Sequence, residues 1–487
     1  MYDVAIIGGG VVGCAIAREL SRYQLDVVLL EKCAEVGFGT TKTNSGIIHA
    51  GHHSPPDTLK GRLAVRGNQL FDALRQELSF GFRRIGELVV AQRQEDLPVL
   101  DGLKEQGRKK GVPGLEIWDR ERLRREEPNL STELLAALHA PTAGVINPYE
   151  FAFALIEHAV DNGVKLVVEA PVEKLDVAPD GITVHTPKGS FPARFVVNCA
   201  GVFSDEIAGM AGLEEFRIHP RKGEEYMLDK RLQGLVRRLI FPVPSPKTKG
   251  TLIIPTFDGT IMVGPTAEDT QDRFDLSTTD AGADKVFDFV RRICPAISPR
   301  DTIAEFAGLR AVSDTNDFII GPTKVKGFIN VAGIQSPGLT ASPAIAEYVR
   351  DILKDEGLPL DEKADFRRHA PCAPRFSAAD LDQRERLVAE NPLFARVVCR
   401  CELVTEAEVQ DAIDRGARTL DGIKFRTRAG MGRCQGGFCT SRCMTLLAER
   451  GGVPFHAITK RGDGSWMVAE MINQQHPREG ESENEPC

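Results

Sequence analysis

The sequence predicts an α/β protein. A Rossmann-like domain is interrupted by an antiparallel α+β insertion and followed by a small helical domain rich in paired cysteines. Three observations predict it. A glycine-rich turn joins a short apolar strand to a helix within the first thirty residues. Strands then alternate with helices, the mark of a largely parallel, three-layer domain, and between them lie strands joined only by turns. Four of the eleven cysteines fall in two tight pairs near the C-terminus.

In chain order, Asp3–Ile7 reads as a strand, Gly8–Gly13 as the turn, Cys14–Arg22 as a helix and Leu25–Leu30 as a second buried strand ending at Glu31. A helix fits Pro148–Asn162, with strands at Val164–Glu169, Ile182–Thr186 and Phe195–Cys199. The runs Ile85–Ala91, Glu225–Leu228, Thr251–Pro255 and Ile261–Val263 read as strands of the inserted sheet. The parallel pattern returns at Phe328–Val331 and closes in a helix from about Ala341 to Lys354. The polar, proline-bearing stretch 361–394 reads as a linker. A compact module follows over 395–450, then an extension over 451–473 and a disordered acidic tail over 474–487.

Composition bounds the function. A chain of 487 residues holds several domains of ~100–200 residues each. Its net charge of −8 and lack of a basic arm argue against nucleic acid as the partner. No apolar run reaches the ~18 residues of a membrane span. The longest, Val4–Ala17, has no basic leader, so the expected location is cytoplasmic, with membrane contact only through a partner. A cytoplasmic chain keeps its thiols reduced, so close cysteine pairs point to metal rather than disulfides.

Gly8, Gly10 and Gly13 form G-x-G-x-x-G between strand and helix. The first permits the turn, the second lets a pyrophosphate approach the backbone, and the third lets helix and strand close together. The helix N-terminus then faces the phosphates. Glu31, 18 residues beyond Gly13, is placed to accept from a ribose hydroxyl. The pattern predicts a dinucleotide site.

Further motifs resemble known families. Residues 1–360 resemble the FAD-dependent oxidoreductases of the D-amino-acid-oxidase and glycerol-3-phosphate-dehydrogenase superfamily. The FAD-binding parts would be about 1–80, 145–215 and 305–360, and the substrate parts about 81–144 and 216–304. Thr43-Asn44-Ser45-Gly46-Ile47-Ile48-His49-Ala50-Gly51 is similar to the flavin-contacting loop of L-2-hydroxyglutarate oxidases. Gly333–Ala344, with Gly338, Leu339 and Thr340, is similar to the closing segment of anaerobic-type glycerol-3-phosphate dehydrogenases. Val197-Asn198-Cys199-Ala200-Gly201 matches the adenine-side strand and turn. By resemblance the dinucleotide is FAD, and Lys32 and Val172 join its contacts. His49 is the expected base and Arg310 the expected substrate-anion arginine, with Lys222 of the Arg221-Lys222-Gly223-Glu224 cluster as a second cation. His52 and His53 fit the pattern less well.

Cys399-Arg400-Cys401 is followed after 32 residues by Cys434-Gln435-Gly436-Gly437-Phe438-Cys439. Four thiolates suit iron–sulfur or zinc, though C-x-C is unlike the usual zinc spacing. Residues 395–450 resemble the bacterioferritin-associated-ferredoxin-like [2Fe-2S] domain, which implies Cys399, Cys401, Cys434 and Cys439 as ligands. Cys443, one helical turn beyond Cys439, competes for the fourth place.

The same fusion occurs in anaerobic-type glycerol-3-phosphate dehydrogenases. The resemblance therefore implies a flavin–iron–sulfur dehydrogenase acting on a small anionic substrate. Glycerol 3-phosphate would be oxidised to dihydroxyacetone phosphate, and electrons would leave through the cluster to a redox partner subunit or a quinone-linked acceptor. The alternatives are an L-2-hydroxy-acid dehydrogenase of the 2-hydroxyglutarate type, an amine, proline or opine dehydrogenase subunit, and a non-enzymatic electron-transfer subunit.

Overall fold

The computed structural model describes residues 1–244, 250–370 and 374–469. They form two compact units, Met1–Pro374 with Met431–Gln435, and Arg375–Gly430 with the residues from Gly436 onward. The tail expected over 474–487 lies outside the described residues.

The first unit is built on two large sheets. In the eight-stranded one, Tyr2–Ile7 lies between Gly189–Asn198 and Val27–Leu30, all parallel, and Phe328–Ala332 pairs in parallel with Gly189–Asn198. Val4, Ala5, Ile6, Val28 and Leu29 are fully buried, as strands covered on both faces must be. Helix Val11–Leu20 contacts both Pro148–Asp161 and Gly338–Asp355. It begins three residues earlier than the sequence suggests, because Gly10 adopts the extended cap conformation and Gly13 lies inside the helix.

Helix Gly338–Asp355 carries Pro343 in its interior. Proline has no N–H for the carbonyl four residues back, here Leu339. The Ser342 hydroxyl donates to that carbonyl at 2.9 Å, so the helix runs on.

The second sheet has nine strands and is almost wholly antiparallel, as expected for the insertion; Leu239–Pro242 beside Glu87–Ala91 is the parallel exception. Its longest pairing joins Ile218–Leu228 to Thr302–Ser313, in register from Ile218 opposite Ser313 to Met227 opposite Ala304. Only Glu225–Leu228 of this ribbon is legible as a strand. Pro220, Gly223 and the charges at 221, 222 and 224 hide the rest, since such residues are depleted in strands.

The stretch 361–394, expected to be a linker, is not a free one. Its first part is tied to the first unit: the Lys363 N–H donates to the Arg22 carbonyl at 2.8 Å, and the Arg367 N–H to Asn162 Oδ1 at 2.8 Å. Residues from 375 belong to the second unit. There Asp380 and Gln383 form a capping box at the start of helix Leu381–Glu390, and Phe376 stacks on Phe394 at 6.2 Å. Polar composition reads as linker, but these polar side chains cap and clamp backbone. The second unit otherwise packs helices Glu406–Asp414, Leu420–Thr427 and Thr440–Gly451 around Val404, Val409, Ile423, Leu446 and Leu447. The extension folds back on it: the Leu420 N–H donates to the Thr459 carbonyl at 3.1 Å.

Helix Leu59–Glu77 meets Gly338–Asp355 at Gly67, where a β-carbon would sit 2.0 Å from the Thr340 carbonyl oxygen. Gly67→Ala should therefore destabilise the first unit by about 1–3 kcal/mol, read as a lowered denaturant midpoint. An unchanged midpoint would mean the two helices are free to separate.

Candidate functional site

A cleft of about 680 Å³ opens in the first unit, within the ~300–1,000 Å³ usual for ligand sites. It runs from the glycine turn to the inserted sheet. At one end Gly8 adopts φ +107, and a β-carbon there would fall 2.4 Å from the Cys199 carbonyl oxygen. Gly13 supports the turn from beneath, its α-carbon so close that a β-carbon would lie 2.0 Å from the Gly8 carbonyl oxygen. Gly10 offers no side-chain cap to the helix it begins. Backbone that closely apposed, before a helix left without a side-chain cap, is the cradle a pyrophosphate needs.

Most of the predicted cofactor residues come together on this cleft. Gly8, Gly10, Glu31, Lys32, Thr43, Asn44, Ser45, Val172, Ala200, Gly201, Gly338 and Leu339 line it. The Glu31 carboxylate is held from behind by the N–H groups of Gly9 at 2.7 Å and Cys33 at 2.8 Å. Lys32 lies over the Phe203 ring, 3.5 Å from its centre. Asn44 folds its own loop, donating to the Thr41 carbonyl at 2.6 Å and accepting from the Gly46 N–H at 2.7 Å. Gly46, Thr340 and Gly13 are absent from the lining and shape it from beneath. Gly46 takes φ +63, and Thr340 Oγ1 accepts from the His49 N–H at 2.9 Å, fixing the histidine loop to the closing helix.

His49 lines the cleft, with Nε2 3.3 Å from the Ser336 hydroxyl. Behind it stands Glu87, fully buried. Its oxygens lie 3.8 Å from His49 Nδ1, 3.1 Å from His52 Nδ1 and 3.6 Å from His53 Nε2. A buried carboxylate facing imidazoles fixes their ring orientation.

The far end of the cleft is set by the long antiparallel ribbon. Side chains alternate between faces along a strand. Arg221, Gly223 and Glu225 therefore face the cleft, and Lys222 and Glu224 do not. This corrects the expected role of Lys222. Its ammonium pairs with Asp275 at 2.7 Å and with the Ser277 hydroxyl at 3.3 Å, away from the cleft. The second guanidinium beside Arg310 is Arg221, directly opposite it in the ribbon and paired with Asp269 at 2.6 Å.

Arg310 does face the cleft. It lies across Gly223, where a β-carbon would come within 2.5 Å of Nη2. Its Nη2 donates to the Thr266 carbonyl at 3.2 Å, and its enclosed Nη1 has no hydrogen-bond partner among the described residues. Glu225 is only 2% exposed. Ser45 Oγ donates to its Oε1 at 2.5 Å. Burial pushes its carboxyl up to about 7, with Ser45 and Arg310 pulling the other way. Arg221 belongs to the cluster the sequence singles out, where Lys222 was expected in its place; Glu225 and Glu87 were missed from the sequence. Period-two alternation from Arg310's partner strand would have found Arg221 and Glu225; nothing local marks Glu87.

In the second unit Cys399 is buried at the end of strand Val397–Cys399, and Cys439 is buried at the N-cap of helix Thr440–Gly451. Their thiols are hydrogen-bonded to each other, and the N–H groups of Gly430 and Glu402 point at the Cys399 sulfur. Cys401, in the same unit, is exposed. Arg428, Gly430 and Gly436 take positive φ, the winding of backbone that aims N–H groups at sulfur. Two buried thiols side by side with backbone N–H groups aimed at sulfur fit part of the ligand set of an iron–sulfur cluster.

The geometry defines a flavin-dependent oxidoreductase carrying an iron–sulfur domain. Residues 3–352 match the family described as FAD dependent oxidoreductase, and residues 397–449 match the BFD-like [2Fe-2S] binding domain. The chain belongs to the FAD dependent oxidoreductase family, and its cofactors are FAD and a [2Fe-2S] cluster. It is 44% identical over 471 residues to the glycerol 3-phosphate dehydrogenase of Caloramator mitchellensis, covering 96% of this chain and 98% of that one. It is 28% identical to the anaerobic glycerol-3-phosphate dehydrogenase subunit A1 of Haloferax volcanii, over 92% of this chain and 82% of that one. Among solved structures, dithionite-reduced L-α-glycerophosphate oxidase of Mycoplasma pneumoniae with FAD bound superposes with TM-score 0.73. It has 29% identity and covers 77% of this chain and 99% of that one.

Gly13→Val should push helix from strand at the glycine turn. The expected result is a purified protein with a much reduced flavin-to-protein absorbance ratio and unchanged iron content. Full flavin content would show that the turn tolerates the displacement.

Proposed function

We propose that this chain oxidises sn-glycerol 3-phosphate to dihydroxyacetone phosphate and passes the electrons to a redox partner subunit or a quinone-linked acceptor. The observation that carries this reading is the likeness to the Caloramator glycerol 3-phosphate dehydrogenase, which runs through both the oxidoreductase and the cluster domains. The name of the Haloferax relative, a subunit, supports a multi-subunit assembly. No helix of the described residues is long and apolar enough to cross a membrane. Any membrane contact of a cytoplasmic enzyme would then come through that partner.

The residues divide the chemistry as follows. Oxidising the secondary alcohol removes a proton from its oxygen and a hydride from its carbon, leaving a ketone. Flavin, when bound, accepts the hydride, and a [2Fe-2S] cluster carries electrons onward one at a time. Arg310 and Arg221, facing each other across the ribbon, offer guanidinium forks to the phosphate. His49 takes the hydroxyl proton in this reading, and Glu87 behind it stabilises the imidazolium so formed. Gly8, Gly10, Gly13 and Glu31 hold the dinucleotide, with the 43–46 loop, Lys32, Val172, Ala200, Gly201 and the 338–340 turn around it. Cys399, Cys401, Cys434 and Cys439 hold the cluster.

Anaerobic addition of glycerol 3-phosphate to the holoenzyme should bleach the flavin, and Arg310→Met should raise KM at least about tenfold by removing a charged hydrogen bond. Bleaching by L-2-hydroxyglutarate but not by glycerol 3-phosphate would transfer the chain to the hydroxy-acid reading. For the cluster, Cys399→Ser and Cys439→Ser should each lose iron and the brown absorbance, whereas Cys443→Ser should keep both. The reverse pattern for 439 and 443 would make Cys443 the ligand.

A further inference from the structure

The cleft holds a buried acid that the mechanism above leaves unused. Glu225 lies on the same strand and the same face as Arg221 and Gly223. One carboxyl oxygen, Oε1, is occupied by the Ser45 hydroxyl at 2.5 Å. The other, Oε2, is enclosed and has no hydrogen-bond partner among the described residues. A buried polar atom left unsatisfied is costly, and a ligand that satisfies it recovers that cost on binding.

Several other buried or half-buried acids of the fold are satisfied by protein. Glu77 receives Arg18 and Arg368. Glu127 receives Arg238 at 3.0 Å and the Arg237 N–H at 2.9 Å. Glu224, the neighbour of Glu225 on the opposite face, receives Tyr226, Thr279 and the Thr279 N–H. Of these only Glu225 lines the cleft, with an oxygen that no described residue satisfies. Next to it, over Gly223, Arg310 presents the unpartnered Nη1. The cleft thus offers a cation and a hydrogen-bond acceptor side by side, about two strand residues or ~7 Å apart along the ribbon. That pair suits a short ester with an anion at one end and a neutral hydroxyl at the other.

We infer that Glu225 accepts a hydrogen bond from the terminal hydroxyl of the substrate and so selects a phosphorylated polyol over a phosphate ester lacking that hydroxyl. The inference rests on the glycerol 3-phosphate reading and adds a specificity determinant to it. Gly223 keeps the floor between the two groups open, and Ser45, on the loop expected beside the flavin, fixes the carboxyl's orientation.

The test compares sn-glycerol 3-phosphate with propane-1,2-diol phosphate, the same ester without its terminal hydroxyl, on the flavin- and cluster-loaded enzyme. The wild type should prefer glycerol 3-phosphate by about tenfold or more in kcat/KM, because a site built to bind a hydroxyl rejects the analogue lacking it. Glu225→Ala should bring the preference down to about twofold or less while retaining flavin absorbance and turnover of the analogue. Glu225→Gln, which preserves volume, should retain part of the preference.

Equal use of the two esters by the wild type overturns the inference while leaving the glycerol 3-phosphate reading intact. So does a preference that survives Glu225→Ala. Loss of flavin from both variants makes Glu225 a structural residue and also overturns it. If the wild type reduces its flavin with neither ester, the substrate reading itself falls and the inference with it.

Discussion

The antiparallel pairing of Ile218–Leu228 with Thr302–Ser313 is the constraint on which the substrate end of the cleft depends. Because side chains alternate along each strand, its register decides which charges meet a ligand and which meet the protein. Arg221 and Arg310 stand opposite each other on the cleft side, and Glu225 follows Arg221 by four residues on the same face. A slip of one residue would present Lys222 and Glu224 instead, and break Lys222 from Asp275 and Glu224 from Thr279. Both faces are thus committed, one to structural pairs and the other to groups left open. Two glycines make this possible: Gly223 lies under the Arg310 guanidinium, and Gly308 admits Thr43, whose hydroxyl would be 2.1 Å from any β-carbon there.

What could be read in the sequence divides along the same line. The glycine turn, the first two strands and the closing helix are local patterns, so they were legible to within a few residues at their ends. Most of the predicted cofactor residues line the cleft because they sit in those local motifs. The ribbon was not legible, since Pro220, Gly223 and a run of charges defeat any apolar alternation. Choosing Lys222 over Arg221 was therefore a choice of face made without knowing the strand. Glu87 shows a different limit. It opens a strand of otherwise apolar residues, and only the tertiary fold brings it to His49, His52 and His53, 34 to 38 residues earlier.

The second unit illustrates how a strong motif can coexist with a misread surrounding. The cysteine spacing and its glycines identify the cluster domain directly. The polar residues before it read as linker because polarity and prolines carry no local sign of what they bind. In the fold they are tied down: the Phe376 N–H donates to Glu408 at 3.1 Å, and Arg384 reaches the Phe376 carbonyl at 3.1 Å. Glu408 in turn closes the capping box of Thr405, so the segment is built into the start of the helix that follows the first cysteine pair.

Ion pairs alone would not separate structural from functional charge in this protein, because the fold contains many. Accounting for each polar atom does. Removing a charge from water costs several kcal/mol unless its partners are in place. Glu77, Glu127 and Asp205 all have those partners from the protein itself, Asp205 by a two-pronged contact with Arg273 at 2.6 and 2.7 Å. The cleft leaves Arg310 Nη1 and Glu225 Oε2 without them among the described residues. The cost is borne in the free enzyme and relieved when a ligand supplies an anion to one and a hydroxyl to the other. A ligand with anions at both ends would satisfy the arginine and confront the acid, so the polarity of the pair works against dicarboxylates and for a polyol phosphate that is anionic at one end only.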